Sequence, residues 1–187
     1  MSALPVSQLS LETLRGAADH FAVFGLSREF EVDRADLSAR FAHLARASHP
    51  DLVGEDATAQ IEAMDLSARL NEAHRVLLDE EERANHLLEL FGGPAKDQDK
   101  SLPDGFLPLI MITREELAEA QLEGDAEKVA AIEVDARNQR TGRLRDIAKL
   151  LSDPSDAGAL KLARIELNAL RYFQRLIEQL HPDHHDL

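Results

Sequence analysis

Cysteine is absent from this chain. That excludes disulfides, thiolate zinc sites, cysteine-ligated iron–sulfur clusters and a cysteine nucleophile. Tryptophan is also absent, and tyrosine occurs once. An apolar core must then come from Leu, Ala, Ile, Val and seven Phe, a set weighted towards helix formers. Nine Gly and seven Pro in 187 residues leave few turn signals, so the elements between them are long. These shortages predict an all-α protein. Positive charge is in deficit as well: 21 Lys and Arg face 35 Asp and Glu, a formal net charge of −14. Binding to phosphate needs accumulated positive charge, so neither nucleic acid nor an anionic membrane surface is expected as a partner. No stretch approaches the roughly 20 apolar residues of a spanning helix. The start, MSALPVSQLSLETLRGAAD, lacks the basic opening and continuous apolar run of a secretory signal. A cytoplasmic protein is the expectation.

What is present is helical periodicity. Apolar residues make up 44% of the chain, enough for one compact domain or two small ones. Residues 1–18 read as an extension in which Leu4, Leu11 and Leu14 either pack a short helix onto the body or fray. DHFAVFGLS follows as a helical turn or two. DRADLSARFAHLARAS, residues 33–48, predicts a helix with Asp33 as its N-cap. Leu37, Phe41, Leu44 and Ser48 share one face, while Arg40, His43 and Arg46 fall on the other and offer a local basic surface. Pro50 stops that helix. After the polar loop LVGEDATA, a second long helix runs from about Thr58 to Leu78 with a Leu66, Leu70, Ala73, Leu77 stripe. GGPAKDQDKSLPD reads as a linker. Three further helices are predicted over about 105–122, 126–151 and 156–180. The last is apolar around most of its circumference and is expected to be buried on several sides, partly against the N-terminal domain.

The tripeptide His-Pro-Asp occurs twice, at 49–51 and 181–183. The first copy lies between two amphipathic segments, where a helical hairpin presents it at an exposed tip. The second follows the last helix with four residues left, so Pro182 reads as a helix stop. An alternative gathers His49, Asp51, His181, Asp183, His184 and His185 into the metal site of a His/Asp metal-dependent enzyme. Against it, no ordered element fixes the tail, and no catalytic acid or base in a cleft is identifiable. No catalytic residue, metal or cofactor is expected.

HFAVFGLS, LSARFAHLARASHPD and LNEAHRVLLDEEERA together resemble a J-domain. RANHLLELFG, directly after it, and FLPLIMITREELAEAQ beyond the linker resemble the HscB-type J-domain co-chaperones of iron–sulfur cluster assembly. The resemblance covers roughly residues 19–180. It implies a J-domain over 19–91, a linker over 92–104, a three-helix bundle over 105–181 and a tail over 182–187, in an L-like shape. It also implies a division of labour. The J-domain engages a DnaK-type ATPase chaperone, HscA-like, and stimulates its ATP hydrolysis. The bundle binds an IscU-like iron–sulfur scaffold protein and delivers it to that chaperone. The chaperone-docking residues are then His49, Pro50 and Asp51, with Arg40, His43 and Arg46 as the basic face. Matching REEL places the scaffold-binding positions on Leu107, Pro108, Met111, Ile112, Glu115 and Glu119; matching LRYF adds Tyr172.

Some positions depart from the family pattern. Ser48 and Leu52 flank the tripeptide where J-domains commonly carry Tyr and Lys. Pro108 and Ile112 replace Met-like and acidic residues of the patch. Pro108 also loosens the expected first turn, and a Thr113–Glu116 capping box offers a later helix start. The cysteine-based zinc module of eukaryotic relatives has no counterpart, which favours the bacterial type. Two readings stay open beside the main one: a J-domain co-chaperone with a different client, and a helical adaptor whose J-like part is inert. A third treats Leu107, Met111 and Ile112 as core.

Overall fold

The computed structural model describes residues 3–49 and 56–181. Among them every regular element is helical. The chain divides into two compact units, Met1–Leu87 and Leu88–Leu187.

The first unit opens with a 3-10 turn, Val6–Gln8, followed by α1 (Leu11–Gly16), α2 (His20–Val23), α3 (Arg34–Ala47) and α4 (Ala57–Leu78); α5 (Glu80–Leu90) runs across the division. Aspartate opens most of these helices. Asp19 Oδ1 accepts from the Ala22 N–H at 2.9 Å. Asp33 Oδ1 accepts from Ala35 and Asp36 at 2.8 and 3.2 Å. Asp56 does the same for Thr58 and Ala59. Each satisfies backbone donors that a helix start leaves without a partner. Part of the acidic excess is therefore structural.

Leu37 and Leu44 of α3 are fully buried, as are Leu70, Ala73 and Leu77 of α4, with Leu66 at 8% exposure. The two stripes read from the spacing thus form the hairpin's interior. Ser48 is buried with them, its hydroxyl without a partner among the described residues, while Phe41 is half-buried and stacks on His74 at 4.2 Å. The N-terminal segment packs rather than frays. Leu9 and Leu14 are buried, the Leu4 N–H donates to Gly25 O at 2.7 Å, and Arg15 pairs with Glu62 at 2.8 Å. Arg83 is buried in the same unit. Its Nε donates to Phe30 O at 2.7 Å, its guanidinium also reaches Leu77 O, and it lies over the Phe30 ring.

The second unit holds α6 (Phe106–Glu123), α7 (Ala126–Leu150) and α8 (Ala157–Leu180). α6 begins at Phe106, so the Thr113–Glu116 start is not used. Pro108 lies in the first turn, where a missing N–H costs no helical bond, and Gly105 at φ +73° supplies the entry. Thr113 Oγ1 instead donates back to Leu109 O at 3.1 Å. Asp125 and Asp156 cap α7 and α8. Phe106, Ile110 and Leu117 of α6 meet Ala136 of α7 and Ala169, Phe173, Leu176 and Ile177 of α8 in one apolar core. Arg143 of α7 seals it, lying 5.0 Å from the Phe106 ring and 5.4 Å from Phe173 while paired with Glu166. α8 is broadly buried but not all round, since Leu162 is 53% exposed. The Gly- and Pro-containing stretch before α6 belongs to this unit and lies along α8: Arg164 donates to Pro94 O, and Asn168 to Asp99 O and Ser101 O.

Candidate functional site

Two surfaces carry the residues singled out by sequence, one in each unit. The first is the tip of the α3–α4 hairpin. Ser48 closes α3, its N–H donating to Leu44 O at 2.9 Å, and His49 follows as an exposed residue. Pro50 and Asp51 lie outside the described residues.

The basic face behind that tip differs from the expectation. Arg46 is exposed on α3. His43 is half-buried, its Nε2 3.2 Å from Leu9 O, so it is tied to the N-terminal segment. Arg40 points inward and is 5% exposed. Its Nε donates to Asp36 Oδ2 at 2.7 Å, and its Nη1 to Leu4 O at 2.7 Å and Phe24 O at 2.9 Å. It is not part of an exposed basic face, because its side chain is buried and its Nε and Nη1 are engaged inside the unit. The helix phase explains the correction. Arg40 follows Leu37 by three and precedes Leu44 by four, which puts it on the buried face. Asp36 four residues earlier supplies the charge that a buried guanidinium requires.

The second surface is the outer face of α6. Its inner face is Phe106, Ile110, Leu117 and Ala120, all buried. Leu107 (50%), Met111 (60%) and Ile112 (54%) are exposed on the opposite side, and Pro108, Glu115 and Glu119 are exposed with them. The reading of these apolar residues as core is thereby overturned. Glu119 meets Lys128 Nζ at 3.4 Å across the turn. Tyr172 of α8 is half-buried and meets Phe106 edge-on at 5.4 Å, which sets it at the start of the strip. Leu122, 89% exposed, was not singled out by sequence. It stands eleven residues beyond Met111, three helical turns along the same face, a spacing that was available to find it. Contiguous exposed apolar side chains rimmed by carboxylates have the make-up of a protein-docking patch.

No group of three or more His, Cys, Asp or Glu capable of holding a metal lies among the described residues. Asp51, Asp183, His184 and His185 fall outside them. His181 Nε2 is 2.8 Å from Glu133 Oε1, and this contact, ahead of Arg137, holds the Glu133 carboxyl below its usual pKa.

The co-chaperone protein HscB homolog of Ralstonia nicotianae is 33% identical over 156 residues, which cover 81% of this chain and 88% of that protein. The chain belongs to the HscB co-chaperone family. The HscB co-chaperone of Proteus mirabilis is 28% identical over 87% of the chain and 93% of its own length. The family model for the HscB C-terminal oligomerisation domain matches residues 102–181, the strip and bundle of the second unit. Among solved structures, human co-chaperone HscB superposes with a TM-score of 0.78 at 25% identity, covering 92% of this chain and 85% of that one. HscB from Vibrio cholerae gives 0.69 at 26% identity over 88% and 96%. The HscB architecture, an N-terminal J-domain followed by a C-terminal helical domain, is thus the architecture of this chain.

Proposed function

We propose that this chain stimulates the ATPase of a DnaK-type, HscA-like chaperone through its J-domain and delivers an IscU-like iron–sulfur scaffold to it through the second unit. It works by binding, in the cytoplasm, and contributes no catalytic group of its own. The observation that carries this reading is the outward face of α6, where Leu107, Met111 and Ile112 stand exposed beside Glu115 and Glu119. Contiguous apolar side chains kept in water on one face of a helix are best explained by a partner that covers them. His49, exposed at the hairpin tip, supports the chaperone half, with Arg46 as the fully exposed basic contact on α3. Pro50, Asp51 and His43 complete the docking set. Pro108 and Tyr172 flank the apolar part of the scaffold set. The charge of −14 fits partners read through local patches rather than nucleic acid, and no described helix is long and apolar enough to cross a membrane.

The test is a chaperone ATPase assay with this protein, the scaffold, and both. Stimulation by both together beyond the sum of the two alone is the expected result. His49→Gln should abolish the stimulation while the circular dichroism spectrum stays unchanged. Full stimulation by that variant would sink the J-domain half, and additive rather than synergistic rates would point to a different client.

A further inference from the structure

Lys96, Lys100, Arg171 and Arg175 line one open pocket of about 200 Å³ in the second unit. Such a concentration of cations is unexpected in a chain with a formal charge of −14. The fold assembles it from two stretches. Asn168 Nδ2 donates to the carbonyl oxygens of Asp99 and Ser101, both at 3.0 Å, and Arg164 Nε donates to Pro94 O at 3.1 Å. These bonds hold the 94–101 strap, which carries Lys96 and Lys100 beside Asp97 and Asp99, along α8; of these four only the lysines line the pocket. Asn168, Arg171 and Arg175 follow a three-four spacing, so the two arginines rise from the helix face that holds the strap. No ion pair among the described residues uses Lys96, Lys100 or Arg175.

Tyr172 lines the same pocket, and its ring touches Phe106, the first residue of α6. The pocket therefore lies by the N-terminal end of α6, where the exposed strip starts at Leu107. The combined face is electrically polar. It is basic at the Tyr172 end, apolar through Leu107 and Met111, and carries Glu115 and Glu119 beyond, of which Glu119 is paired with Lys128. We infer that the pocket receives carboxylate side chains of the same scaffold protein that covers the α6 strip, and that it fixes which way round that protein lies. This inference rests on the scaffold reading above. Charges at the rim of an interface act chiefly on register and association rate, and a face with opposite signs at its two ends accepts a complementary partner in one orientation only.

The experiment measures scaffold binding to the full chain by calorimetry and by association kinetics, at low and at high salt. It compares the unmodified chain, Lys100→Glu with Arg175→Glu, and Met111→Ala with Glu115→Ala. All four substituted positions are exposed, and thermal unfolding reports whether each variant is folded. Should the charge reversal unfold the unit, Lys100→Gln with Arg175→Gln serves in its place, with a smaller loss in the same direction. The charge-reversed chain is expected to bind about tenfold more weakly, mostly through slower association, with the difference shrinking at high salt. Unchanged affinity in that variant, alongside a loss in the Met111–Glu115 variant, overturns the pocket's role and leaves the scaffold reading standing. Absence of binding by the unmodified chain overturns both. Inorganic phosphate is titrated separately. Phosphate binding that the charge reversal removes, with scaffold affinity intact, makes the pocket a small-anion site and also overturns the inference.

Discussion

Arg40 is 5% exposed and donates to Asp36 and to two carbonyl oxygens, whereas Arg46 on the same helix projects into water. Truncating Arg40 leaves Leu4 O and Phe24 O short of a donor and Asp36 without its counter-charge. Arg40→Ala is therefore expected to cost about 2–4 kcal/mol of unfolding free energy in urea. Arg46→Ala should stay within about 0.5 kcal/mol of the unmodified chain and act instead on the rate of chaperone association. Equal destabilisation by the two variants would mean that Arg40's contacts carry no net stability. The residue scale also shows why charge alone is a weak guide to docking. The arginines at 40, 83, 143 and 164 all serve as internal ties to carbonyls, rings or carboxylates, and such ties use the long apolar stem as much as the head group.

At the scale of the element, α6 has two faces with different duties. The inner face, Phe106 to Ala120, closes the core, and the outer face offers Leu107, Met111 and Ile112. Because the outer residues touch solvent, shortening one removes little from the folded state. Met111→Ala with Glu115→Ala is expected to leave the thermal midpoint almost unmoved while weakening scaffold binding at least tenfold in calorimetry, as central apolar anchors of an interface do. A lowered midpoint with unchanged affinity would return Met111 to a structural role. Pro108 shows how an element can absorb an apparent breaker. One turn further along it would remove a helical bond, but in the first turn it forfeits only a donor that had no acceptor.

On the scale of the whole molecule, the first unit is expected to be sensitive to acid. Two histidines of the first unit, His20 and His74, have their pKa pushed down, and burial is the main cause in each. His74 stacks on Phe41 with its Nε2 buried and without a partner. A histidine that resists protonation when folded binds its proton more readily unfolded. Stability is then full above the ordinary value of 6.5 and falls as pH drops through it. Hydrogen exchange in the first unit should accordingly quicken between about pH 7.5 and about pH 5.5. His74→Phe, which keeps the stack and removes the titration, should flatten that dependence. An unaltered slope in the variant would assign the acid sensitivity elsewhere.

The sequence by itself determined what depends on near neighbours. The aspartate cap at 33 and the Leu66–Leu70–Ala73–Leu77 stripe act within a few helical turns, so they could be read without a fold. The motifs that carry the family resemblance are local in the same sense. The tertiary structure alone decided where faces from distant segments meet. Helix phase puts Arg40 on the buried side of α3, but only the fold brings it the carbonyls of Leu4 and Phe24, 36 and 16 residues away. The stretch before α6 has a linker's composition, yet it lies along α8 because Arg164 and Asn168 hold carbonyls some 70 residues back in the chain. Periodicity says which side of a helix is apolar. Which polar groups find each other across the chain depends on the packing of several helices at once, and it is that packing that sets the basic pocket beside Tyr172.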